Sequence, residues 1–248
     1  MAAASGLYAT PRIYFHLASN LLCPICDESS QQRRNLKWRT KRRKAVQLSI
    51  AGGEYLVEEF GWGVRRMSES VDEMRKVADV QAEAFHVPVL FFNDFFFEFF
   101  RAEVLSALIY KIRNSPSDRY ACLVAEYICV PDSLPQVVER LAGAVDCTVQ
   151  RDEDVLKHLQ GAEEYLYVSG IAVRSKFRRQ KVGTVLLKAC DALSQLWGHD
   201  YIALRVYEDD LVAQKLYSKV GFKTVSKDPH WITWIGRKKR VLMIKYSA

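Results

Sequence analysis

The chain has 248 residues, and its 36 Lys and Arg against 29 Asp and Glu give a formal net charge of +7. Residues 1–50 alone carry nine basic and two acidic side chains, so the remaining residues sum to zero. The neutral charge of residues 51–248 argues against nucleic-acid binding, which depends on a basic surface. No membrane span is expected, because charged side chains interrupt the most apolar run, residues 87–112.

The first 53 residues differ in composition from the rest of the chain. They begin Met-Ala-Ala-Ala-Ser, contain few acids and are rich in Arg towards their end, which is typical of an organellar transit peptide. They lack the apolar core of a secretory signal. We therefore predict a transit peptide over residues 1–53 and one folded domain over residues 54–248. The alternative is a permanent, disordered basic arm that binds nucleic acid or a membrane.

The six cysteines do not predict a metal site. Cys23 and Cys26 form a single Cys-x-x-Cys pair within the leader, and no second pair stands at the spacing of zinc ligands. The other four lie in apolar surroundings and are expected to be small core residues: Cys122, Cys129, Cys147 and Cys190.

From residue 54 onward, the pattern of apolar residues predicts a mixture of strands and helices. A first strand precedes a helix that begins at Ser68 or Ser70, and Pro88 separates this helix from a second one that ends near Arg113. The predicted strands are residues 62–67, 120–130, 141–149, 165–173 and 201–206, with closing strands at 231–235 and 241–246. Residues 150–164 are acidic and polar, which indicates a surface excursion.

A short basic turn, residues 178–184, connects the strand over residues 165–173 to an amphipathic helix over residues 182–197. It reads Arg-Arg-Gln-Lys-Val-Gly-Thr. Such a turn gathers backbone N–H groups and the positive end of a helix dipole at one point, and this geometry binds phosphate. The turn alone is weak evidence, since an ordinary basic surface loop has the same composition.

A second block, residues 204–222, has the pattern strand, loop, helix and Gly-Phe. Asp209 or Asp210 is suited to cap the helix at its start, and Gly221 is suited to end it. The apolar residues of the helix recur at helical spacing: Ala213, Leu216, Tyr217 and Val220.

The two blocks together resemble motifs A and B of the GNAT (GCN5-related N-acetyltransferase) superfamily. In motif A the turn reads Arg/Gln-x-x-Gly-x-Gly/Ala. Arg178 matches its first position, Gly183 its last, and Lys181 replaces the middle Gly. Motif B carries Ala-x-x-Leu-Tyr before Gly-Phe, with Asn where Asp210 stands. The resemblance implies an α/β fold with a central mixed sheet, flanked by helices and splayed between the fourth and fifth predicted strands.

The resemblance also implies acetyl-CoA as cosubstrate and no metal. The N–H groups of the turn would hold its pyrophosphate, strand residues 171–173 would pair with its pantetheine arm, and an N–H near Ile171 would stabilise the oxyanion. The expected coenzyme-binding residues are Ile171, Ala172, Val173, Arg178, Arg179, Gln180, Lys181, Val182, Gly183, Thr184, Asp210 and Tyr217.

Two tyrosines are the candidate catalytic residues. Tyr217 matches the family's proton donor to the leaving thiolate, and its alternative role is a core Tyr that anchors the helix to the sheet. Tyr167 is the preferred relay for the proton of the amine, with Glu164 as a competing base. In a regular strand Tyr167 and Glu164 lie on opposite faces, so only one of them can face the site.

Leader and body together look like the plant plastid branch of the superfamily. That resemblance implies an enzyme of the chloroplast stroma that acetylates protein N-terminal α-amines and lysine ε-amines, and arylalkylamines such as serotonin are further candidate acceptors. The alternative is a catalytically weak acyl-CoA-binding or interaction module, which would use the seven Phe between Phe91 and Phe100 as a partner surface.

Overall fold

A computed structural model describes residues 55–85, 93–128 and 140–247 of the chain, without the side chains of residues 93–96. The predicted transit peptide lies outside the described residues, together with the pair Cys23 and Cys26. Pro88, Cys129 and part of the Phe cluster also lie outside them.

A mixed sheet of eight strands forms the centre of the described chain, in the order β1-β2-β3-β4-β5-β6-β8-β7. Neighbouring strands are antiparallel except β5 and β6, which run parallel. The mixed sheet, with helices on both faces, confirms the predicted fold class. The strands are β1 (Val57–Glu59), β2 (Trp62–Arg66), β3 (Tyr120–Tyr127), β4 (Leu141–Gln150), β5 (Tyr165–Val173), β6 (Tyr201–Tyr207), β7 (Lys223–Lys227) and β8 (Arg240–Tyr246).

Two of the helices, those that follow Ser70 and Asp210, begin at caps that the sequence indicates. Ser70 Oγ accepts from the N–H of Glu73 at 3.2 Å, and Asp210 Oδ1 accepts from the N–H of Ala213 at 2.9 Å. No helix within the described residues is long and apolar enough to cross a membrane. The helices there are α1 (Val71–Phe85), α2 (Asn93–Asn114), α3 (Glu153–Leu156), α4 (Val182–Trp197) and α5 (Leu211–Lys219).

The sheet has an apolar core on each face. On one face α4 packs against β2 to β6, where its buried residues meet those of the strands in one continuous cluster. On the other face α1 and α2 cover β3, β4 and β5. Three of the cysteines belong to these cores, as predicted, and are buried free thiols: Cys122, Cys147 and Cys190.

The predicted closing strand over residues 231–235 is wrong. On the side away from β6, the partner of β8 is β7, which starts directly after Phe222. His230–Thr233 instead forms a 3-10 helix after Pro229. The Trp and Ile residues of the segment suggested a strand, but they lie at the surface, and Trp234 is 86 % exposed. β7 is an edge strand with mostly exposed side chains, so burial imposes no alternating pattern on its sequence.

A short hairpin at the start of the domain escaped prediction from the sequence. β1 pairs with β2 through Glu59 and Trp62, and the two loop residues, Phe60 and Gly61, have φ of 55° and 79°. Positive φ at both loop residues is the requirement of a type I′ hairpin. A strand of three residues is too short to show a periodic pattern, and Phe is an unusual loop residue at positive φ.

Candidate active site

A cleft opens because β5 and β6 separate soon after they begin. Their parallel pairing is confined to Leu166 and Tyr167 of β5, although β5 continues to Val173. Beyond Tyr167 the edge of β5 that faces β6 pairs with no strand in the described part of the chain. The predicted splay between the fourth and fifth strands is therefore present, and it lies between β5 and β6 because β1 shifts the numbering by one.

A β-bulge at Gly170 redirects β5 beside this cleft. Gly170 and Ile171 stand together opposite a single residue of β4, Val145. Gly170 has φ of 58°, a left-handed conformation that glycine adopts without steric cost. The extra residue reverses the alternation of side chains, so Ile171 and Val173 face α4 where a regular strand would turn them away. A Gly inside an apolar strand pattern was the available signal for this bulge.

The basic turn presents unpaired main-chain donors at the start of α4. In the described residues, nothing accepts a hydrogen bond from the amide N–H groups of residues 179–183. The N–H of Thr184 differs, since it donates to Lys181 O at 2.9 Å within the first turn of the helix. Two residues of the turn, Arg179 and Lys181, have φ of 65° and 71°. Five adjacent unpaired donors at a helix N-terminus can bind a polyanion.

Lys181 adopts the conformation for which the family motif has Gly. With φ of 71° and ψ of −1°, it is the N-cap residue of α4, and its side chain makes no cap hydrogen bond. Its ammonium lies 5.7 Å from the centroid of the Phe60 ring, at the tip of the β1–β2 hairpin, in a cation–π contact. That contact offsets part of the cost of the left-handed backbone.

We expect Lys181→Gly to stabilise the protein. Glycine removes the strain of a left-handed backbone, about 1–3 kcal/mol. It also raises the entropy of the unfolded chain and removes the cation–π contact, which is worth about 0.5–1 kcal/mol, so the net gain in stability is about 1 kcal/mol. For a domain of this size that gain raises Tm by about 2–4 °C. Lys181→Ala is the control, because it keeps the strain and loses the contact, and its Tm should fall. Thermal unfolding followed by circular dichroism measures both; a lower Tm for the Gly variant contradicts the strain.

The β1–β2 hairpin supports the basic turn from outside the cleft. Trp62 Nε1 donates to Gln180 O at 2.8 Å, and the Trp62 ring meets the edge of Phe177 at 5.4 Å. Glu59 forms an ion pair with Lys188 of α4 at 2.6 Å. Because Gln180 O is held, the N–H of Lys181, which belongs to the same planar peptide unit, is directed away from the indole. Nothing in the sequence indicates this role of Trp62, since the contact joins residues more than a hundred positions apart.

Tyr217 is buried on α5 with an unused hydroxyl. It is 7 % exposed, and its ring lies edge-on to Phe222 at 6.1 Å. The hydroxyl makes no hydrogen bond to any residue of the described chain. Burial raises the pKa of the Tyr217 hydroxyl, and the Asp210 carboxylate and the Tyr167 phenol add to the rise. Tyr217 is therefore a protonated, available donor across the neutral pH range.

The first turn of α5 is fixed to the end of β6. Asp210 Oδ1 caps the helix, and Gln214 Nε2 donates to Tyr207 O at 3.0 Å. A Cβ built on Gly183 lies only 3.1 Å from Leu216 Cδ2, so the start of α4 and the middle of α5 are in close contact. The predicted turn and the predicted donor Tyr217 thus belong to one continuous region of the molecule.

The two candidate bases occupy different environments. Tyr167 is half-buried beside Tyr165 and Ala203, on the sheet face opposite α4. Burial alone would raise the pKa of the Glu164 carboxyl, but hydrogen bonds from Arg119 at 2.7 Å and Arg151 at 2.6 Å outweigh it, and the pKa is lowered. A carboxylate held by two guanidinium groups is a poor proton acceptor, which favours Tyr167 over Glu164.

Comparison with known proteins relates this geometry to a family. The model of the acetyltransferase (GNAT) family matches residues 91–222. GCN5-related N-acetyltransferase 10, chloroplastic, of Arabidopsis thaliana is 55 % identical over 194 residues, which are 77 % of this chain and 75 % of that protein.

Solved structures with a similar fold include two that hold ligands. The NatC complex bound to Gag peptide and CoA has a TM-score of 0.53 at 12 % identity and covers 75 % of this chain and 99 % of that one. Arabidopsis thaliana NAA60 in complex with a bisubstrate analogue has a TM-score of 0.52 at 16 % identity, and the match covers 75 % of this chain and 97 % of that one. At these identities the likeness concerns the fold alone.

The parted central strands, the bulged strand and the helix-capping turn define the fold of an acyl-CoA-dependent acyltransferase. The chain belongs to the GNAT acetyltransferase family and is an acetyl-CoA-dependent N-acetyltransferase. This confirms the resemblance that the two sequence blocks carry. The chloroplastic name of the 55 % identical relative supports the predicted plastid location.

Proposed function

We propose that the protein transfers the acetyl group of acetyl-CoA to primary amines of proteins in the chloroplast stroma, and to N-terminal α-amines more readily than to lysine ε-amines. The observation that carries this proposal is the set of five N–H groups at residues 179–183, beside the parted strands, for which the described chain holds no acceptor. These donors suit a pyrophosphate, and the cleft suits an amide-containing arm that leads to a thioester.

The coenzyme would lie along three parts of the chain. The N–H groups of the turn bind the pyrophosphate, with Arg178 and Arg179 as nearby cations. The free edge of β5 at residues 171–173 pairs with the pantetheine amides as a strand would. The bulge at Gly170 directs main-chain donors of the Gly170–Ile171 pair out of the β4 ladder and towards the thioester oxygen. A carboxylate oxygen of Asp210 remains for a further polar contact.

Two proton transfers accompany attack of the amine on the thioester. The acceptor amine loses a proton, and Tyr167 is the group at the cleft that relays it to solvent. The leaving thiolate takes a proton, since the thiol has a pKa close to that of Cys, about 8.5. Tyr217, which is protonated and has no other hydrogen-bond partner in the described chain, supplies that proton.

The preference for α-amines follows from the cost of deprotonation. At pH 7 a lysine amine with a pKa of about 10.4 costs about 4.6 kcal/mol to deprotonate, whereas an α-amine with a pKa of about 7.7–8.0 costs about 1–1.4 kcal/mol. The arginine-bound Glu164 does not provide a strong base to offset the difference. Lysine ε-amines and arylalkylamines such as serotonin are therefore slower acceptors at neutral pH.

The ratio of lysine to α-amine acetylation should rise with pH. Between pH 8 and 9.5 the neutral fraction of a lysine amine increases about 30-fold, whereas that of an α-amine increases about twofold at most, so the ratio of kcat/KM values rises about tenfold or more. Matched peptides with one free amine each, assayed by mass spectrometry, measure it. A ratio that stays constant with pH indicates an enzymic base for lysine and contradicts the proposed preference.

The deciding experiment incubates residues 54–248 with acetyl-CoA and a peptide library derived from plastid proteins. Mass spectrometry separates α-acetylated from ε-acetylated products. Predominant α-amine products support the proposal. The absence of acetyl transfer to any peptide or arylalkylamine, with coenzyme binding retained in calorimetry, supports instead the catalytically weak binding module, for which Lys181 at the usual Gly position is the motivating observation.

A further inference from the structure

We propose that α1 holds the two halves of the active site in place through two positioning residues, Gln81 for the bulge on β5 and Glu83 for the basic turn. This inference rests on the proposed function, because it assigns effects on the two kinetic constants of the same reaction. Neither residue belongs to the motifs that identify the family, and both lie on the helix that covers β4 and β5.

Gln81 connects α1 to the bulge through a buried polar network. Its carboxamide Nε2 lies 3.3 Å from Asp146 Oδ2 and 3.5 Å from Gly170 O, and the two hydrogens of one amide nitrogen can serve both acceptors. Asp146 also accepts from the Tyr120 hydroxyl at 2.6 Å and from Lys111 Nζ at 3.3 Å. Gln81 is 1 % exposed and Asp146 is 2 % exposed, so these bonds operate in a region of low dielectric.

The network has a directional effect that apolar packing would not have. A buried amide and carboxylate are no more stabilising than apolar side chains of the same volume, so packing of α1 on the sheet does not require them. The amide of Gln81 does fix the direction of one carbonyl, that of Gly170, at the bulge that interrupts the pairing of β5 with β4. Fixing this peptide plane also fixes the N–H of Ile171, which belongs to the same peptide unit.

Glu83 anchors the segment that leads into the basic turn. Its Oε1 accepts from the N–H of Ser175 at 2.9 Å and from Ser175 Oγ at 2.7 Å, and its Oε2 lies 3.4 Å from an Arg174 guanidinium nitrogen. Ser175 begins the 3-10 helix Ser175–Phe177, which ends directly before Arg178. The Glu83 carboxylate therefore holds the segment before the turn, and the bond from Trp62 to Gln180 O holds the turn itself.

Substitutions at the two positions should alter different kinetic constants. Gln81→Met keeps the length of the side chain and removes the amide, so the oxyanion donor loses its orientation, and we expect kcat to fall about 10- to 100-fold with KM for acetyl-CoA within about twofold. Glu83→Ala frees the start of the turn, and we expect KM for acetyl-CoA to rise about 5- to 20-fold with kcat within about twofold. Glu83→Gln, which can still accept one bond from Ser175, should restore most of the affinity.

Asp79→Asn is the matched control on the same helix. Asp79 forms an exposed ion pair with Arg101 of α2 at 3.4 Å, and we expect both constants to be unchanged. Steady-state kinetics with one peptide, together with thermal melts, compares the variants. If Gln81→Met fails to fold, Gln81→Asn tests the same bond, since the shorter amide keeps polarity but does not reach Gly170 O, and the same fall in kcat is expected.

The outcomes separate this inference from the proposed function. Wild-type protein that transfers no acetyl group overturns the proposed function. Active wild-type protein whose Gln81 and Glu83 variants lose kcat and coenzyme affinity in the same proportion, or retain both, overturns the positioning roles. A split in the opposite sense, with KM altered by Gln81 and kcat by Glu83, overturns them as well.

Discussion

Tyr217→Phe is expected to lower kcat for acetyl transfer by about 10²- to 10⁴-fold, the range typical of a lost general acid. The same substitution should change the Kd of acetyl-CoA by less than about threefold, because an interaction made only in the transition state contributes to kcat and not to ground-state binding. Steady-state kinetics and isothermal titration calorimetry with residues 54–248 provide the two quantities.

The structure explains why this substitution is a clean test. Phenylalanine keeps the ring that packs on Phe222, and the hydroxyl it removes has no hydrogen-bond partner in the described chain, so Tm should change little. Burial raises the pKa of the Tyr217 hydroxyl, so the group remains protonated in any assay that is run below about pH 10. Loss of activity in the Phe variant therefore reports the missing proton.

Tyr217→Ala distinguishes a chemical role from an anchoring role. It removes the ring as well and should destabilise the domain by about 3–5 kcal/mol, as large-to-small aromatic substitutions in cores do. If Tyr217→Phe and Tyr217→Ala lower activity only in proportion to their loss of stability, Tyr217 is an anchor of α5 and not a proton donor. A Phe variant with normal kcat excludes the proposed role directly.

Local sequence signals were sufficient for the parts of the site that lie on a single strand-turn-helix. The basic turn, the amphipathic α4 and the cap of α5 depend on residues within a few positions of one another, and the structure has these elements where the pattern predicts them. Burial also confirms the core positions of Cys147 and Cys190, because apolar neighbours in sequence indicate a buried strand and helix.

Contacts between distant parts of the chain were beyond the sequence pattern. Gln81 and Asp146 are polar residues in elements that the sequence indicates by their apolar residues. The partners of Gln81 lie 65 and 89 residues away along the chain. The sequence pattern predicts that Trp62 lies in a strand, but its bond to Gln180 depends on the tertiary fold. The sequence pattern places the edge strand at residues 231–235 instead of Lys223–Lys227, because the exposed side chains of β7 show no alternation of polar and apolar residues.

Gly183→Asp is expected to weaken acetyl-CoA binding at least about 100-fold, because a fixed carboxylate would occupy the seat of a pyrophosphate. A Cβ on Gly183 already lies 3.1 Å from Leu216 Cδ2 and 4.0 Å from Val173 Cγ2, so a larger side chain has no room towards α5. We therefore expect the carboxylate to point towards the N–H groups of residues 179–183. Titration calorimetry with acetyl-CoA measures the loss.

Stability measurements separate this loss of binding from a loss of folding. Gly183 is the second residue of α4, where an acidic side chain interacts favourably with the helix dipole by about 0.3–1 kcal/mol. This gain offsets the small displacement of Leu216 by the new Cβ, so the Asp variant without ligand should melt near the wild-type temperature. Saturating acetyl-CoA should raise Tm of the wild type and leave that of the variant unchanged. Gly183→Ala, neutral and smaller, should weaken binding only about 3- to 10-fold, since the end of Leu216 can give way. Normal affinity in the Asp variant would show that the pyrophosphate binds elsewhere, because it and the introduced carboxylate cannot both occupy the five main-chain donors of the turn.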